Sequence, residues 1–165
     1  MQKIKGKLIN FPFIYFTMKL EDEIFQKKFK NEHHKAHVNV LYTANWLDAI
    51  HSGKLKTSAL TGQQFNILRI LRGQYPNPAS IKLLKERMLD KMSDVSRLVQ
   101  KLQIKGLLER KICKDDRRKV DILITQKGLD LLIPLDYLDD EFKKIISLSS
   151  DEAEQLNALL DKMRG

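Results

Sequence analysis

Apolar positions along this chain repeat with two periods, and the change from one to the other marks its most informative stretch. Val95, Leu98, Val99 and Leu102 fall at i, i+3, i+4 and i+7, one stripe of an α-helix. Ser93 stands ahead of them as the expected N-cap, because its hydroxyl can accept from a free backbone N–H of the first turn. Gly106 is expected to close the helix just past its cap, where the backbone commonly turns left-handed. The period then drops to two. Leu108, Arg110 and Ile112 alternate, and so do Val120, Ile122 and Ile124, which predicts two strands of a hairpin. The tip between them, 114–119, is charged throughout.

Upstream, the stretch 31–52 reads as a long helix with two apolar stripes. Val40, Leu41, Ala44 and Leu47 make one; Val38, Tyr42, Trp46 and Ala49 make the other. A surface helix needs a single stripe, so two predict burial on both sides, which a dimer supplies. Gly53 is expected to end it. Thr61 is placed to cap a helix over 62–72 with Phe65, Leu68 and Leu71 inward. A loop over 73–78 leads to a short helix over 79–88, with Ile81, Leu84 and Met88 on one face. Residues 89–92 then turn into the helix that carries Val95, completing a helix-turn-helix pair. Downstream of the hairpin, Thr125 caps a helix running through Leu129, Leu132, Leu138, Phe142 and Ile145, with a kink or break at Pro134. Ser149 and Glu152 spell a capping box that opens a last helix striped with Leu156, Leu159, Leu160 and Met163.

The face of the 95–102 helix opposite its apolar stripe carries Ser96, Arg97, Gln100 and Lys101, side chains that hydrogen-bond base edges and phosphates well. A polar helix face is ordinarily just solvated, and a charged hairpin tip just a turn. Their direct succession raises the significance of both, because a wing follows its recognition helix. The pattern reads as a winged helix-turn-helix.

The run Ser93-Asp94-Val95-Ser96-Arg97-Leu98-Val99, followed by Lys105-Gly106-Leu107-Leu108-Glu109-Arg110, Asp116-Arg117-Arg118 and Ile124-Thr125-Gln126-Lys127-Gly128, resembles the MarR family of transcriptional regulators. The resemblance is strongest over 60–132, with the wing motif its most specific part. Ile124 stands where the family usually has Leu. The resemblance implies a recognition helix, a turn into the wing at Lys105-Gly106-Leu107, a wing tip at Asp116-Arg117-Arg118 in which Asp116 braces Arg118, and a helix start at Thr125. It also implies a ligand pocket between a helical dimerisation bundle and the winged domain, near Trp46 and Tyr42. Some members sense oxidants through a cysteine near the start of the first helix; none occupies that part here.

Charge supports a polyanionic partner. The 165 residues carry a formal net charge of +9, unevenly placed. Residues 79–125 hold thirteen Lys/Arg against seven Asp/Glu, net +6, whereas 126–165 hold five against nine, net −4. A basic reading head and an acidic tail suit a DNA binder, although ribosomes and anionic membranes attract a similar total. The single cysteine, Cys113, excludes an intrachain disulfide and fits a reducing, cytoplasmic setting.

Other chemistry is thin. Lys3, Lys5 and Lys7 precede an apolar run over 8–16 broken by Pro12, superficially a leader, but no small-residue cleavage site follows and the run is too short to span a bilayer. The expectation is a translation start at Met18 or a loosely ordered arm. His33 and His37 lie at i, i+4, a spacing that can hold a metal, yet nothing nearby completes a set. Phosphate loops, zinc spacings and a cysteine–histidine nucleophile pair are missing, and no cofactor or enzymatic activity is expected.

The expected architecture is mainly α with a small β-hairpin wing, an α+β winged helix-turn-helix plus a helical dimerisation bundle. Its expected parts are an arm and dimerisation helix over 1–58, a DNA-binding domain over 59–125 and dimerisation helices over 126–165. The expected function is a homodimeric repressor on a pseudo-palindromic double-stranded DNA site, released by a small-molecule inducer. Ser93, Ser96, Arg97, Gln100 and Lys101 are the candidate contacts of the recognition helix. Asp116, Arg117 and Arg118 are those of the wing, and Lys82 reaches a phosphate. Two rivals keep the fold: a metal or redox sensor using His33 and His37 or Cys113, and an adaptor that does not bind DNA.

Overall fold

The computed structural model describes residues 19–112 and 120–165. Cys113, the hairpin tip and the first eighteen residues lie outside them. The chain divides into two compact units between Ile50 and His51.

In the first unit, a single turn of helix, α1 (Leu20–Glu23), precedes the start of the long α2 (Glu32–Leu55). Lys35 pairs with Glu21 at 2.6 Å, and the Tyr42 hydroxyl donates to Glu23 at 2.8 Å. The Tyr42 hydroxyl therefore holds its proton more tightly than usual, chiefly through that bond. Helix α2 passes through Gly53 and stops only at Leu55, where a 3-10 turn over Lys56–Ser58 takes over. Gly53 is thus no terminator; its space is open and one glycine costs a helix only about 1 kcal/mol. Leu55 is the buried residue of α2, whereas Val40, Leu41 and Trp46 are exposed.

The second unit holds the rest of the fold: α3 (Gly62–Arg72), α4 (Ile81–Arg87), α5 (Val95–Ile104), the strands β1 (Leu108–Ile112) and β2 (Val120–Ile124), then α6 (Gln126–Leu132), α7 (Tyr137–Ile146) and α8 (Ser150–Arg164). It is mainly α with one antiparallel hairpin, in which Leu108 faces Ile124 and Ile112 faces Val120. Thr61, Thr125 and Ser149 cap α3, α6 and α8 as their spacing predicts, and Thr61 and Ser149 form full capping boxes with Gln64 and Glu152. Pro134 does break its helix: a 3-10 turn over Ile133–Leu135 separates α6 from α7.

The fourth helix is shorter than its apolar spacing suggests. Ser80 caps it, and Ala79 instead forms a β-bridge with Ile122, exchanging both backbone hydrogen bonds at 2.9 Å. Ala79 thereby extends the hairpin into a third, minimal strand and ties the α3–α4 loop to the wing. Phe65, Leu68 and Leu71 of α3, Leu84 of α4, Val95, Val99 and Leu102 of α5, and Leu108 and Ile122 of the hairpin form one buried cluster. The stripes read for α3 and for the 95–102 helix supply the inward faces of those elements, whereas those of α2 and α8 include exposed residues such as Val40, Leu41, Leu156 and Leu159. The cluster continues into Leu132, Leu135 and Leu138.

Acidic residues of the C-terminal segment neutralise cations of α2 and α3. Arg69 grips Asp139 through both guanidinium nitrogens at 3.0 and 3.1 Å, Arg72 meets Asp136 at 2.6 Å, and Lys54 pairs with Glu141. His51 stacks on Phe142 at 4.7 Å. These carboxylates thus balance basic residues of α2 and α3 rather than those of α5.

Candidate nucleic-acid interface

Helix α5 buries Val95, Val99 and Leu102 and exposes Ser96, Arg97, Gln100 and Lys101. Among the described residues no ion pair engages Arg97 or Lys101. A cationic face left unpaired beside a rigid apolar face is available to a polyanion, and each phosphate it neutralises releases counterions. Lys82 on α4 is also exposed, with only a loose 3.9 Å contact to Glu86.

The start of α5 differs from expectation. Asp94, not Ser93, is the N-cap: its carboxylate accepts from the Arg97 N–H at 3.1 Å. The Ser93 hydroxyl is turned back and donates to Asp90 at 2.8 Å. Ser93 therefore sits half-buried in the turn before the helix rather than on its reading face. The cause is Asp90, which also accepts from the Met92 N–H at 2.9 Å and from the Gln63 side-chain amide at 2.8 Å. Hydrogen bonds from Ser93, then Gln63, then the Met92 backbone hold the Asp90 carboxyl below its ordinary range. Asn66 of α3 accepts from the Leu89 N–H at 3.0 Å.

Two side chains of α3 therefore pin the turn that aims α5. Asp90, Gln63 and Asn66 hold this turn, and the sequence pattern does not single them out. The Asp-x-x-Ser spacing of Asp90 and Ser93 is a legible turn signal, but nothing local announces the reach from Gln63.

The far end of α5 is anchored as firmly. Gly106 adopts φ +71, the left-handed turn expected of it. The Lys105 ammonium bonds the Ala59 carbonyl at 2.6 Å and Gln64 at 3.3 Å, so this exposed lysine is tied to the start of α3. The Lys105 carbonyl accepts from Lys127 at 2.8 Å, and the Gly106 carbonyl accepts from the Thr125 hydroxyl at 2.8 Å. Two motifs distant in sequence thus close on each other. They lock the end of the recognition helix to the root of the wing and to the start of α6.

Asp116, Arg117 and Arg118 lie outside the described residues. So does Cys113. His33 and His37 are exposed on α2, and among the described residues no group of three or more His, Cys, Asp or Glu is placed to hold a metal ion. No helix among them is long and apolar enough to cross a membrane.

The family model for MarR matches residues 60–120. Over 125 residues, 74% of this chain and 84% of the relative, the sequence is 30% identical to the HTH-type transcriptional regulator MgrA of Staphylococcus aureus. The chain belongs to the MarR family. It is a MarR-family transcriptional regulator, and the family is one of regulators rather than enzymes. Solved structures share the winged-helix fold. Bordetella bronchiseptica BpsR, whose DNA binding is regulated by 6-hydroxynicotinic acid, superposes with a TM-score of 0.69 at 22% identity, covering 79% of this chain and 99% of that one. Staphylococcus aureus MepR in complex with DNA gives 0.70 at 22% identity, covering 82% and 97%. The geometry gives the MarR motifs of this chain physical content. Gly106 supplies a left-handed turn, Thr125 a cap, and Gly128 a close approach that admits no side chain, its Cβ position lying 2.3 Å from the Leu107 carbonyl oxygen.

Proposed function

We propose that this regulator is a homodimeric repressor that places one α5 in each of two successive major grooves of a pseudo-palindromic duplex. The observation that carries the reading is the exposed face of Arg97, Gln100 and Lys101, without an ion pair among the described residues, on a helix anchored at both ends. Arg97 is assigned to guanine, because a guanidinium can donate twice, to O6 and N7. Ser96 and Gln100 take neighbouring base edges; Lys82, Lys101 and Arg117 serve the phosphate backbone, while Ser93, whose hydroxyl is taken by Asp90, holds the turn. Arg118, braced by Asp116, is assigned to the flanking minor groove, where A·T-rich tracts concentrate negative potential. MepR, a structural neighbour solved in complex with DNA, supports DNA as the partner.

The exposed Val40, Leu41 and Trp46 of α2 and Leu156, Leu159 and Met163 of α8 support dimerisation, since large exposed apolar residues on amphipathic helices ordinarily meet a partner. The division into arm and first helix, DNA-binding domain and C-terminal helices, 1–58, 59–125 and 126–165, follows from that assembly. A cytoplasmic place of work suits a chain whose target is DNA. Release by a small molecule is proposed by analogy with BpsR and its regulation by 6-hydroxynicotinic acid.

The test is selection of duplexes from a random pool by the purified full-length protein, followed by affinity measurement across a salt series. Each phosphate that the protein neutralises steepens the fall of log K with log salt by about 0.9. A selected pseudo-palindrome bound with a steep salt slope is expected. A flat salt response without sequence preference refutes the regulator mechanism in favour of an adaptor.

A further inference from the structure

Two of the most exposed large apolar side chains of the second unit stand in the turn that precedes the recognition helix. Met92 is 93% exposed and Leu89 is 86% exposed. Scattered apolar exposure is ordinary on a protein surface, but this pair is neither scattered nor loose. The two residues lie three positions apart in a turn otherwise made of Asp90, Lys91 and Ser93. The Leu89 backbone is held by Asn66 and the Met92 backbone by Asp90. The fold therefore displays two methyl-bearing side chains from a fixed backbone, immediately ahead of the end of α5 whose residues approach base edges in this class of motif.

An apolar side chain has one well-defined target in the major groove. Thymine presents a C5 methyl there, and none of the other three bases carries an apolar group at that edge. We propose that Leu89 and Met92 form an apolar reading edge that packs against thymine methyls, adding a preference for T beside the guanine preference assigned to Arg97. The proposal rests on the DNA-binding reading above. It extends that reading from the polar face of α5 to the turn before it, so the recognition surface is continuous from Leu89 through Gln100. Asp90, Gln63 and Asn66 become its positioning residues. They touch no base but fix where the two apolar side chains stand.

The test removes the methyl and nothing else. In a duplex selected by the full-length protein, each thymine is replaced singly by deoxyuridine, which keeps base pairing intact. Affinity is read by fluorescence anisotropy. One or two positions in each half-site are expected to lose about fourfold, the factor that corresponds to one buried methyl-sized group. Leu89→Ala/Met92→Ala is expected to bind the thymine and uracil duplexes equally, while keeping its preference at the guanine assigned to Arg97. Both side chains are exposed, so the double variant is expected to melt with the parent; if it does not fold, the thymine–uracil scan on the parent still decides.

Equal affinity for every uracil duplex in the parent overturns the proposal. So does a double variant that keeps the parent's discrimination. If the pair instead meets another protein chain, the thymine–uracil ratio stays at one in both proteins and sedimentation changes in the variant, which also overturns it. Failure to select any duplex defeats the DNA-binding reading itself, a result distinct from a selected duplex indifferent to its methyls.

Discussion

Three glycines respond to the same substitution with a different sign or size at each. Gly128 opens α6 against the residue where α5 hands over to β1. A Cβ there lies 2.3 Å from the Leu107 carbonyl oxygen, 3.2 Å from its carbon and 2.7 Å from Ile124 Cγ1. The carbonyl oxygen must move away by about 1 Å to reach ordinary van der Waals separation. Leu107 is not free to give way. Its N–H donates to the Leu102 carbonyl at 3.1 Å and its carbonyl accepts from the Thr125 N–H at 3.2 Å.

Overpacking of this kind costs about 1–3 kcal/mol. Loss of the Leu107–Thr125 hydrogen bond adds about 1 kcal/mol, and the better helix propensity of Ala returns about 1 kcal/mol. Gly128→Ala should therefore destabilise by about 1–3 kcal/mol, roughly 2–12 °C in Tm for a chain of this size. At Gly106 the nearest atom to a Cβ is Lys127 Nζ at 3.8 Å, so only the φ of +71 resists. Gly106→Ala should cost about 1–2 kcal/mol, the left-handed penalty alone. Gly53 lies inside α2 with nothing within 4 Å of its Cβ position, and Gly53→Ala should stabilise by roughly 0.5–1 kcal/mol. Urea denaturation at one fixed protomer concentration, with m constant across the series, measures all three. A Gly128→Ala midpoint equal to the parent's would show that the wing root does not pack on α6 in this way.

Arg97→Ala should lose about 1–3 kcal/mol at the specific site and blur one base-pair position per half-site without lowering Tm; a base preference left intact by the substitution contradicts its assignment. Arg118→Ala should weaken binding most on A·T-rich flanks and leave the core preference unchanged, measured on the same operator series with altered flanks. The hydrogen bonds that depress the Asp90 carboxyl contribute stability that is complete above the ordinary carboxylate pKa and is lost as pH falls through the lowered one. Asp90→Ala should flatten that part of the acid titration and speed amide exchange at Met92; unchanged exchange would show that the turn is held by other bonds. Replacing Leu156 and Leu159 together by Lys should shift the sedimenting species towards monomer at micromolar concentration, and a parent protein already monomeric there contradicts the dimer.

Much of this protein is written locally. The stripes Val95–Val99–Leu102 and Phe65–Leu68–Leu71, the alternation of the hairpin strands, the break at Pro134 and the caps Thr61, Thr125 and Ser149 all follow from relations between near neighbours in the chain. Helical and extended periodicity and capping act at that range, so the winged helix-turn-helix and the exposed polar face of α5 are legible without coordinates. Other features depend on residues distant in sequence. Ser93 and Asp94 are adjacent and both competent to cap α5; Asp90, itself held by Gln63 from α3, takes the Ser93 hydroxyl and leaves the cap to Asp94. Ala79 stands just ahead of α4 with an apolar side chain suited to it, but the backbone of Ile122 pairs with it and makes it a β-bridge instead. Gly128 looks like a tolerated glycine in a helix until Leu107 is brought against it. Arg69 and Arg72 count towards a basic chain, yet Asp139 and Asp136 neutralise them. In each case two local preferences were nearly balanced or a charge was unassigned, and a partner from elsewhere in the fold decided the outcome.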